Sequence, residues 1–325
     1  MIYLLFDNPT DSGCVSFISR LSRLQLKEVF SPKSRRLILG WLKGVQAALC
    51  LSGKGDTIVC WYDFQAVLCF WMCKLLCKKR KIVCINILLK DKTSLKNKVV
   101  AGLYRFALHS QNFVASVTSA EYGAHLKLRL GVSKPLFLVH DVYHGSYQYG
   151  RAEIIPNTVF CGGRNGRDWN FMIEVAKAMP SVEFHLVMPK SVYQEVHDTL
   201  PSNVMAKHSI SMDDFMAEMC SCELVALPLD TEAPAGLIVL FQAAANNKYI
   251  ITTDTMTTRE YLSCGRGSLV PNSVELWKKE ITERLTSKDE NKIVSHKLLE
   301  FLQCECSEEK FVEGVEKMIK SLKVC

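Results

Sequence analysis

Acidic residues are scarce in the first half of this 325-residue chain. Residues 1–150 contain 8 of the chain's 33 acidic residues and 21 of its 40 basic residues. The rest of the chain therefore contains 25 acidic and 19 basic residues. A basic half beside an acidic half predicts that the first half faces an anionic partner. An anionic membrane surface or a lipid-diphosphate acceptor fits this charge, and solvated helix ends are the plain alternative. Nucleic acid is disfavoured, since no helix-turn-helix, ribonucleoprotein or zinc-finger pattern occurs.

The chain also lacks an uninterrupted apolar run that could cross a bilayer. The most hydrophobic window, residues 58–77, is about long enough, but Asp63, Gln65 and Lys74 interrupt it. We therefore expect a strand that ends near Trp61 and a buried helix after it, with attachment at a membrane surface rather than a span. No signal peptide is expected, because the apolar start of the chain has no basic residues before it.

The 14 cysteines lack the spacing of a metal site or a disulfide framework. Cys220-x-Cys222 and Cys304-x-Cys306 are too closely spaced for zinc and have no histidine beside them. No metal is expected from this pattern. Many unpatterned thiols are typical of a reducing compartment, so the pattern favours a cytoplasmic location.

Short apolar runs alternate with amphipathic segments along the whole chain. This order predicts an α/β protein with parallel sheets flanked by helices. In the first half we expect strands at 2–6, 57–61, 81–87, 113–117 and 136–139, with helices between them, the first of which continues to about Lys27. The aromatic, glycine-bearing segment 143–157 breaks the rhythm, so the predicted domains are 1–142 and 158–307.

The stretch from Leu224 to Leu262 predicts a phosphate site. A strand at 224–227 ends at Pro228, since proline cannot donate to a ladder, and a polar loop then leads to Gly236. Gly236 begins an apolar helix, and the free backbone N–H groups of such a helix start suit a phosphate.

A second glycine-bearing loop, Cys161-Gly-Gly-Arg-Asn-Gly-Arg-Asp168, lies between a strand and a helix. Glycine lets the backbone approach a ligand closely, and the forked donors of Arg164 and Arg167 match phosphate oxygens. The spacing is neither Gly-x-Gly-x-x-Gly nor a Walker loop. The alternative is a tight turn in which Asp168 caps the helix and both arginines are solvated.

These two segments resemble the nucleotide-sugar site of the large retaining glycosyltransferase family (group 1, family 4-like) whose members build bacterial lipopolysaccharide, capsule and exopolysaccharide. The matching residues are Pro228, Gly236, Leu237, Ala243, Ala245, Ile250 and Ile251. The resemblance implies the GT-B fold, in which two Rossmann-like domains face a cleft. It also implies that the last helix, at 308–325, packs back on the first domain.

The chain departs from the family pattern at its charged positions. The family glutamate that holds the donor ribose falls on Gln242, and the other family glutamate falls on Pro234, which leaves Glu232 as the acid nearby. Arg164 matches the family arginine of the glycine loop. The family lysine falls on Trp169, so Arg167 would have to substitute for it.

The predicted donor-binding set combines residues from both predicted domains. Gly13 comes from the loop after the first strand, and Thr253 ends a strand of the second domain. The whole set is Gly13, Gly163, Arg164, Arg167, Glu232, Gly236, Leu237, Gln242 and Thr253. No catalytic side chain can be identified, and Arg164, Arg167 and Glu232 are the candidates. No cofactor is expected, and no metal either, because an Asp-x-Asp motif is absent.

The expected function is therefore a glycosyltransferase that uses a nucleotide-diphosphate sugar and extends a lipid-linked or polysaccharide acceptor. The family's mechanism is retaining and metal-independent, with front-face departure of the nucleotide. The resemblance implies a cytoplasmic protein, peripheral on the inner membrane. Two alternatives remain open: a non-catalytic glycosyltransferase-like binding subunit, and a sugar-nucleotide epimerase of the same fold.

Overall fold

In the computed structural model of the chain, the described residues are 1–7, 17–34, 37–90, 94–150 and 152–322. The chain divides into two compact units. One consists of Met1–Val142 with Cys306–Cys325, and the other of Tyr143–Glu305. Each unit contains a six-stranded parallel sheet with helices in the connections, which confirms the predicted α/β class.

The first unit is built on a sheet of strand order β2-β1-β3-β4-β5-β6. Its strands are β1 Ile2–Asp7, β2 Leu26–Ser31, β3 Thr57–Cys60, β4 Lys81–Cys84, β5 Phe113–Val117 and β6 Phe137–Leu138. Its helices up to Val142 are α1 Phe17–Leu21, α2 Leu37–Leu51, α3 Asp63–Leu75, α4 Leu95–His109 and α5 Ala120–Leu130. All neighbouring strands are parallel.

Strand β2 corrects the expectation of a helix that continues to about Lys27. Leu26–Ser31 pairs with β1 in parallel along its whole length, and it lies at the edge of the sheet. Only Val29 and Ser31 of β2 are buried. An edge strand with Lys27 and Glu28 facing solvent lacks the continuous apolar run of a central parallel strand.

The apolar window at residues 58–77 forms strand β3 and helix α3, as predicted. Cys69, Phe70 and Cys73 of α3 are buried. Among the described residues, none of the helices has the length and apolar character needed to cross a bilayer.

The second unit has the strand order β12-β11-β10-β7-β8-β9. Its strands are β7 Thr158–Gly162, β8 Glu183–Val187, β9 Val204–Lys207, β10 Leu224–Leu227, β11 Tyr249–Thr253 and β12 Ser268–Val270. Its helices are α6 Trp169–Lys177, α7 Lys190–Val196, α8 Met212–Ser221, α9 Leu237–Ala245, α10 Met256–Leu262, α11 Val274–Thr286 and α12 Lys288–Glu305. Short 3₁₀ turns lie at Gly145–Tyr147 and His197–Thr199.

The strand order of the second unit reverses between β7 and β10. From β7 the chain adds β8 and β9 on one side, and then β10, β11 and β12 on the other. Open parallel sheets bind ligands beyond the carboxyl ends of their strands at such a switch point. The loops after β7 and β10 therefore mark where a site is expected.

The last helix, α13 Glu308–Ser321, belongs to the first unit. The ring of Phe311 lies 5.7 Å from Phe17 and 5.6 Å from Trp61, centroid to centroid. Glu316 accepts hydrogen bonds from Ser22 Oγ at 3.1 Å and from the Arg23 backbone N–H at 2.6 Å. Apolar and polar contacts together hold α13 against the segment around α1.

Candidate functional site

The loops that follow β7 and β10 run antiparallel to each other. Arg167 and Leu229 form an isolated antiparallel bridge. The Asp168 N–H donates to the carbonyl of Pro228 at 3.1 Å, and the Asp230 N–H donates to the carbonyl of Gly166 at 3.1 Å. The two loops predicted to bind phosphate therefore form one structure at the switch point.

Three glycines with positive φ make this close approach possible. They are Gly163 at +124°, Gly166 at +67° and Gly236 at +79°. A Cβ on Gly166 would stand 2.8 Å from the Cβ of Ala235, in the loop after β10. Any side chain at Gly166 would therefore force the two loops apart.

The other two of these glycines make room for the guanidinium of Arg167. A Cβ on Gly163 would lie 2.8 Å from Arg167 Nη2, and a Cβ on Gly236 would lie 2.8 Å from Arg167 Nη1. Nε donates to the carbonyl of Gly162 at 2.9 Å, and Nη1 donates to the carbonyl of Asn165 at 3.3 Å. The guanidinium is thus held between the two loops.

Arg167 is a buried cation, with 6% of its surface exposed. No carboxylate of the described residues lies within ion-pair distance of it, and burial lowers the pKa of its guanidinium. A buried charge without a counter-ion costs several kcal/mol, so such an arrangement is uncommon in a purely structural role. The site is therefore suited to an anion supplied from outside the chain.

Helix α9 begins beside this guanidinium. Gly236 is its N-cap residue and offers no side-chain cap. In the described part of the chain, the backbone N–H groups of Leu237, Ile238 and Val239 have no acceptor. The open N–H groups and the positive end of the helix dipole add to the positive potential at Arg167.

Arg164 differs from Arg167 in burial and in hydrogen bonding. It is exposed, and it makes no hydrogen bond or ion pair with another described residue. The neighbouring Asp168 caps α6 by accepting from the Phe171 N–H at 3.1 Å. Of the residues predicted to converge on a diphosphate, Arg167 and Gly236 are brought together, whereas Arg164 lies on the surface.

The carboxylate of Glu232 lies at the start of helix α10, whose N-cap residue is Thr255. Its Oε2 accepts from the backbone N–H of Met256 at 2.8 Å, and its carbonyl accepts from Thr257 Oγ1 at 3.0 Å. A carboxylate at a helix start is stabilised by the dipole. The contacts of Glu232 therefore connect the loop after β10 to the first turn of α10.

Thr253 also makes contacts within the protein. Its Oγ1 accepts from the Leu229 N–H at 2.7 Å and donates to Asn272 Oδ1 at 2.5 Å. Asn272 in turn donates to the carbonyl of Leu229 at 3.0 Å. Both residues fix the backbone of Leu229, opposite Arg167. Asn272 was not predicted as a site residue, and the one signal for it in the sequence is a Pro-Asn pair after the last short strand.

The remaining predicted donor residues have different surroundings. Gln242 lies in α9 with 5% of its surface exposed, and its Nε2 donates to Met212 Sδ at 3.7 Å. Leu237, in the first turn of the same helix, is buried. Gly13 lies outside the described residues.

The fold matches known glycosyltransferase structures. HepE of Anabaena, solved with UDP and glucose, is similar with a TM-score of 0.72 and 14% identity over 99% of both chains. Sucrose-phosphate synthase of Thermosynechococcus elongatus has a TM-score of 0.70 and 14% identity over 91% of this chain and 83% of that one. These likenesses confirm the predicted fold, two parallel sheets of GT-B type.

A third similar structure carries sugar-containing ligands besides UDP. A variant of TarM of S. aureus, solved with fondaparinux, α-GlcNAc-glycerol and UDP, has a TM-score of 0.64 and 13% identity over 86% of this chain and 58% of that one. No protein-family model matches the chain, and no curated protein sequence does either.

Proposed function

We propose that this chain is a glycosyltransferase that takes its sugar from a nucleotide-diphosphate donor. The observation that carries the proposal is the buried guanidinium of Arg167, which lies beside Gly236 at the open start of α9 and has no carboxylate partner among the described residues. Such a cationic site at the switch point of a parallel sheet suits a diphosphate. Donors containing UDP are the first to test, because UDP is bound in HepE and TarM.

In the proposed reaction, negative charge develops on the diphosphate as the bond to the sugar breaks. Arg167 and the N–H groups of Leu237 and Ile238 would hold that diphosphate and stabilise its growing charge. Donors positioned in advance, out of bulk water, are the most effective form of such stabilisation. We further propose that the reaction retains the anomeric configuration and needs no metal ion.

The acceptor is proposed to be lipid-linked or a glycan, in the synthesis of a cell-surface polysaccharide. The basic first half of the chain supports an anionic, diphosphate-bearing acceptor. The fondaparinux and α-GlcNAc-glycerol bound by TarM support a sugar-containing acceptor.

A non-catalytic binding subunit is the second candidate. Gln242 is neutral where the resembled family has an acid, and the carboxylate of Glu232 already accepts a hydrogen bond from Met256. A chain with these features can bind a nucleotide sugar without turning it over. Both candidates therefore bind the nucleotide-sugar donor, and only the glycosyltransferase transfers the sugar to an acceptor.

The test combines a donor screen with a transfer assay. Thermal unfolding would be followed with UDP, ADP and GDP in the presence of EDTA, and a sugar-labelled form of the stabilising nucleotide would then be incubated with bacterial membrane lipids. Label in the lipid fraction is expected. Binding without transfer would favour the subunit, a new free nucleotide sugar would favour the epimerase, and no nucleotide binding would contradict the proposal.

Two arginine variants test which of the two side chains binds the diphosphate. Removing the buried Arg167 as Arg167→Met should cost about 1.5–3 kcal/mol of diphosphate binding, which is a roughly 10- to 150-fold weaker affinity. Arg164→Met removes an exposed cation and should cost less than about 1 kcal/mol. Equal losses in the two variants would argue against the guanidinium of Arg167 as the principal contact.

A further inference from the structure

A closed ring of hydrogen bonds surrounds the backbone of Leu229. The Leu229 N–H donates to Thr253 Oγ1 at 2.7 Å, and the Thr253 hydroxyl donates to Asn272 Oδ1 at 2.5 Å. Asn272 Nδ2 closes the ring by donating to the carbonyl of Leu229 at 3.0 Å. Both backbone polar groups of this buried residue are therefore satisfied by side chains at the ends of β11 and β12. We call this arrangement the Leu229 clasp.

The clasp acts on the same residue that pairs with Arg167. Leu229 and Arg167 form the antiparallel bridge between the loops after β10 and β7. Two backbone hydrogen bonds of 3.1 Å flank this pair and join the two loops. In an antiparallel pair of this kind, the N–H and C=O groups of the paired residues point away from each other, so those of Leu229 can enter the clasp. A shift of Leu229 would move the backbone of Arg167 with it.

The position of the Arg167 guanidinium depends on that backbone. Nε donates to the carbonyl of Gly162 and Nη1 to that of Asn165, so the side chain folds back onto its own loop. A Cβ on Gly163 or on Gly236 would lie 2.8 Å from the guanidinium. In such close packing, a displaced backbone would break a hydrogen bond of the guanidinium or press it against a neighbour.

We propose that Thr253 and Asn272 are positioning residues, which act through Leu229 to hold the guanidinium of Arg167 where a diphosphate can bind it. This assignment rests on the proposed function. Neither side chain has to touch the ligand, because the Thr253 hydroxyl is engaged in the clasp as both acceptor and donor. Supporting residues fix the geometry of a binding group, and those that orient metal ligands contribute about 10- to 100-fold in affinity.

Thr252 gives a matched control on the same strand. It is buried, and its hydroxyl donates to the carbonyl of Leu227 at 2.8 Å, outside the clasp. Thr253→Val and Thr252→Val each remove one buried hydroxyl, so both should lower the free energy of unfolding. Thr253→Ser keeps the hydroxyl and should preserve the clasp. Asn272 is exposed, so Asn272→Ala opens the clasp without leaving a cavity in the core.

The first measurement needs no ligand. The Nε–H group of Arg167 is buried and hydrogen-bonded, so its NMR signal should be protected from exchange with water, and Arg167→Met identifies the signal by its loss. Thr253→Val and Asn272→Ala should each shift or broaden this signal. Thr252→Val and Thr253→Ser should leave it unchanged. An unchanged signal in both clasp variants would overturn the proposal.

Calorimetric titration with UDP is the second measurement. Thr253→Val and Asn272→Ala should each weaken binding at least about tenfold, and the double variant should lose little more, because the clasp acts as one unit. Thr252→Val should change the affinity less than about twofold. Equal UDP affinities in Thr253→Val and Thr252→Val, or losses that simply add in the double variant, would overturn the proposal. A chain that binds no nucleotide would instead contradict the proposed function, and the NMR signal of Arg167 would still decide whether the clasp holds the guanidinium.

Discussion

The guanidinium of Arg167 lies so close to Gly236 that a Cβ on this glycine would stand 2.8 Å from Nη1. One residue follows strand β7 and the other begins helix α9. Gly236 also has a φ of +79°, a backbone conformation that other residues adopt only with strain. The contact thus joins a buried cation to an uncapped helix start through a position that only glycine suits.

The first prediction follows from this contact. Gly236→Ala should lose about 1–2 kcal/mol of unfolding free energy, because alanine disfavours positive φ. It should also displace the guanidinium and abolish the stabilisation by UDP. Denaturant unfolding and calorimetric titration with UDP measure the two effects.

Gly265→Ala is the matched control for this prediction. Gly265 has a similar φ of +71°, but a Cβ there would meet nothing within 4 Å. It should show the same backbone cost and leave the UDP affinity unchanged. If both alanine variants bind UDP as the unsubstituted chain does, the contact between Gly236 and Arg167 has no role in binding.

The second prediction compares two buried arginines. Arg284 lies 3.0 Å from Glu280 and 3.1 Å from Glu290, and it also pairs with Glu283, whereas Arg167 has no carboxylate partner in the described part of the chain. Without ligand, Arg284→Met should lose about 2–3 kcal/mol of unfolding free energy. Arg167→Met should change it by less than about 1 kcal/mol, because relief from burying a lone charge offsets two lost hydrogen bonds.

Chemical unfolding of both variants in nucleotide-free buffer gives the comparison. A large loss in Arg167→Met would mean that this arginine stabilises the fold in its own right. Such a loss would contradict a role for Arg167 in binding an external anion. A preserved stability together with a lost response to UDP would support the proposed role.

The central strands were predictable from sequence, and the edge strand β2 was not. A buried parallel strand such as Leu224–Leu227 is a continuous apolar run, and Pro228 marks its end. Strand β2 is half solvated and carries Lys27 and Glu28, so its pattern fits a helix equally well. A short apolar run therefore identifies a strand even at the edge β6, which matches the strand expected at 136–139, whereas β2 lacks such a run.

Candidate site residues were predictable by type and not by environment. The glycine loop predicted both Arg164 and Arg167 as phosphate ligands, because their spacing does not show which of the two is buried. Burial of Arg167 depends on Gly236, which is distant in sequence and adjacent in space. Likewise, the Thr253 hydroxyl is engaged by Asn272 from another strand end. Such pairings arise from the topology of the sheet, which a local motif does not contain.

The third prediction separates a structural role of Glu232 from a chemical one. Glu232→Gln keeps an oxygen that can accept from the Met256 N–H, so the unfolding free energy should change by less than about 0.5 kcal/mol. Glu232→Ala removes this acceptor, while Thr255 still caps the helix, and should lose about 1 kcal/mol. Transfer rates of the glutamine variant decide the role: near-normal turnover indicates a structural role, and a loss of two or more orders of magnitude indicates that the charge acts in the reaction.

The fourth prediction concerns Glu316, which ties α13 to the segment after α1. Burial alone would raise the pKa of this carboxyl, but hydrogen bonds from the Arg23 N–H, Lys320 and Ser22 outweigh it and lower the pKa. A carboxyl with a lowered pKa in the folded state stabilises the protein above its unfolded pKa of about 4.3, and this contribution is lost as the pH falls through the folded value.

Glu316→Gln should therefore be less stable than the unsubstituted chain near pH 7, and the difference should shrink below about pH 4. Glu309→Gln, an exposed site on the same helix, should show no such difference. Unfolding free energies measured across this pH range test the linkage. A difference that stays constant down to the lowest pH would mean that the carboxyl's ionisation does not hold α13 in place.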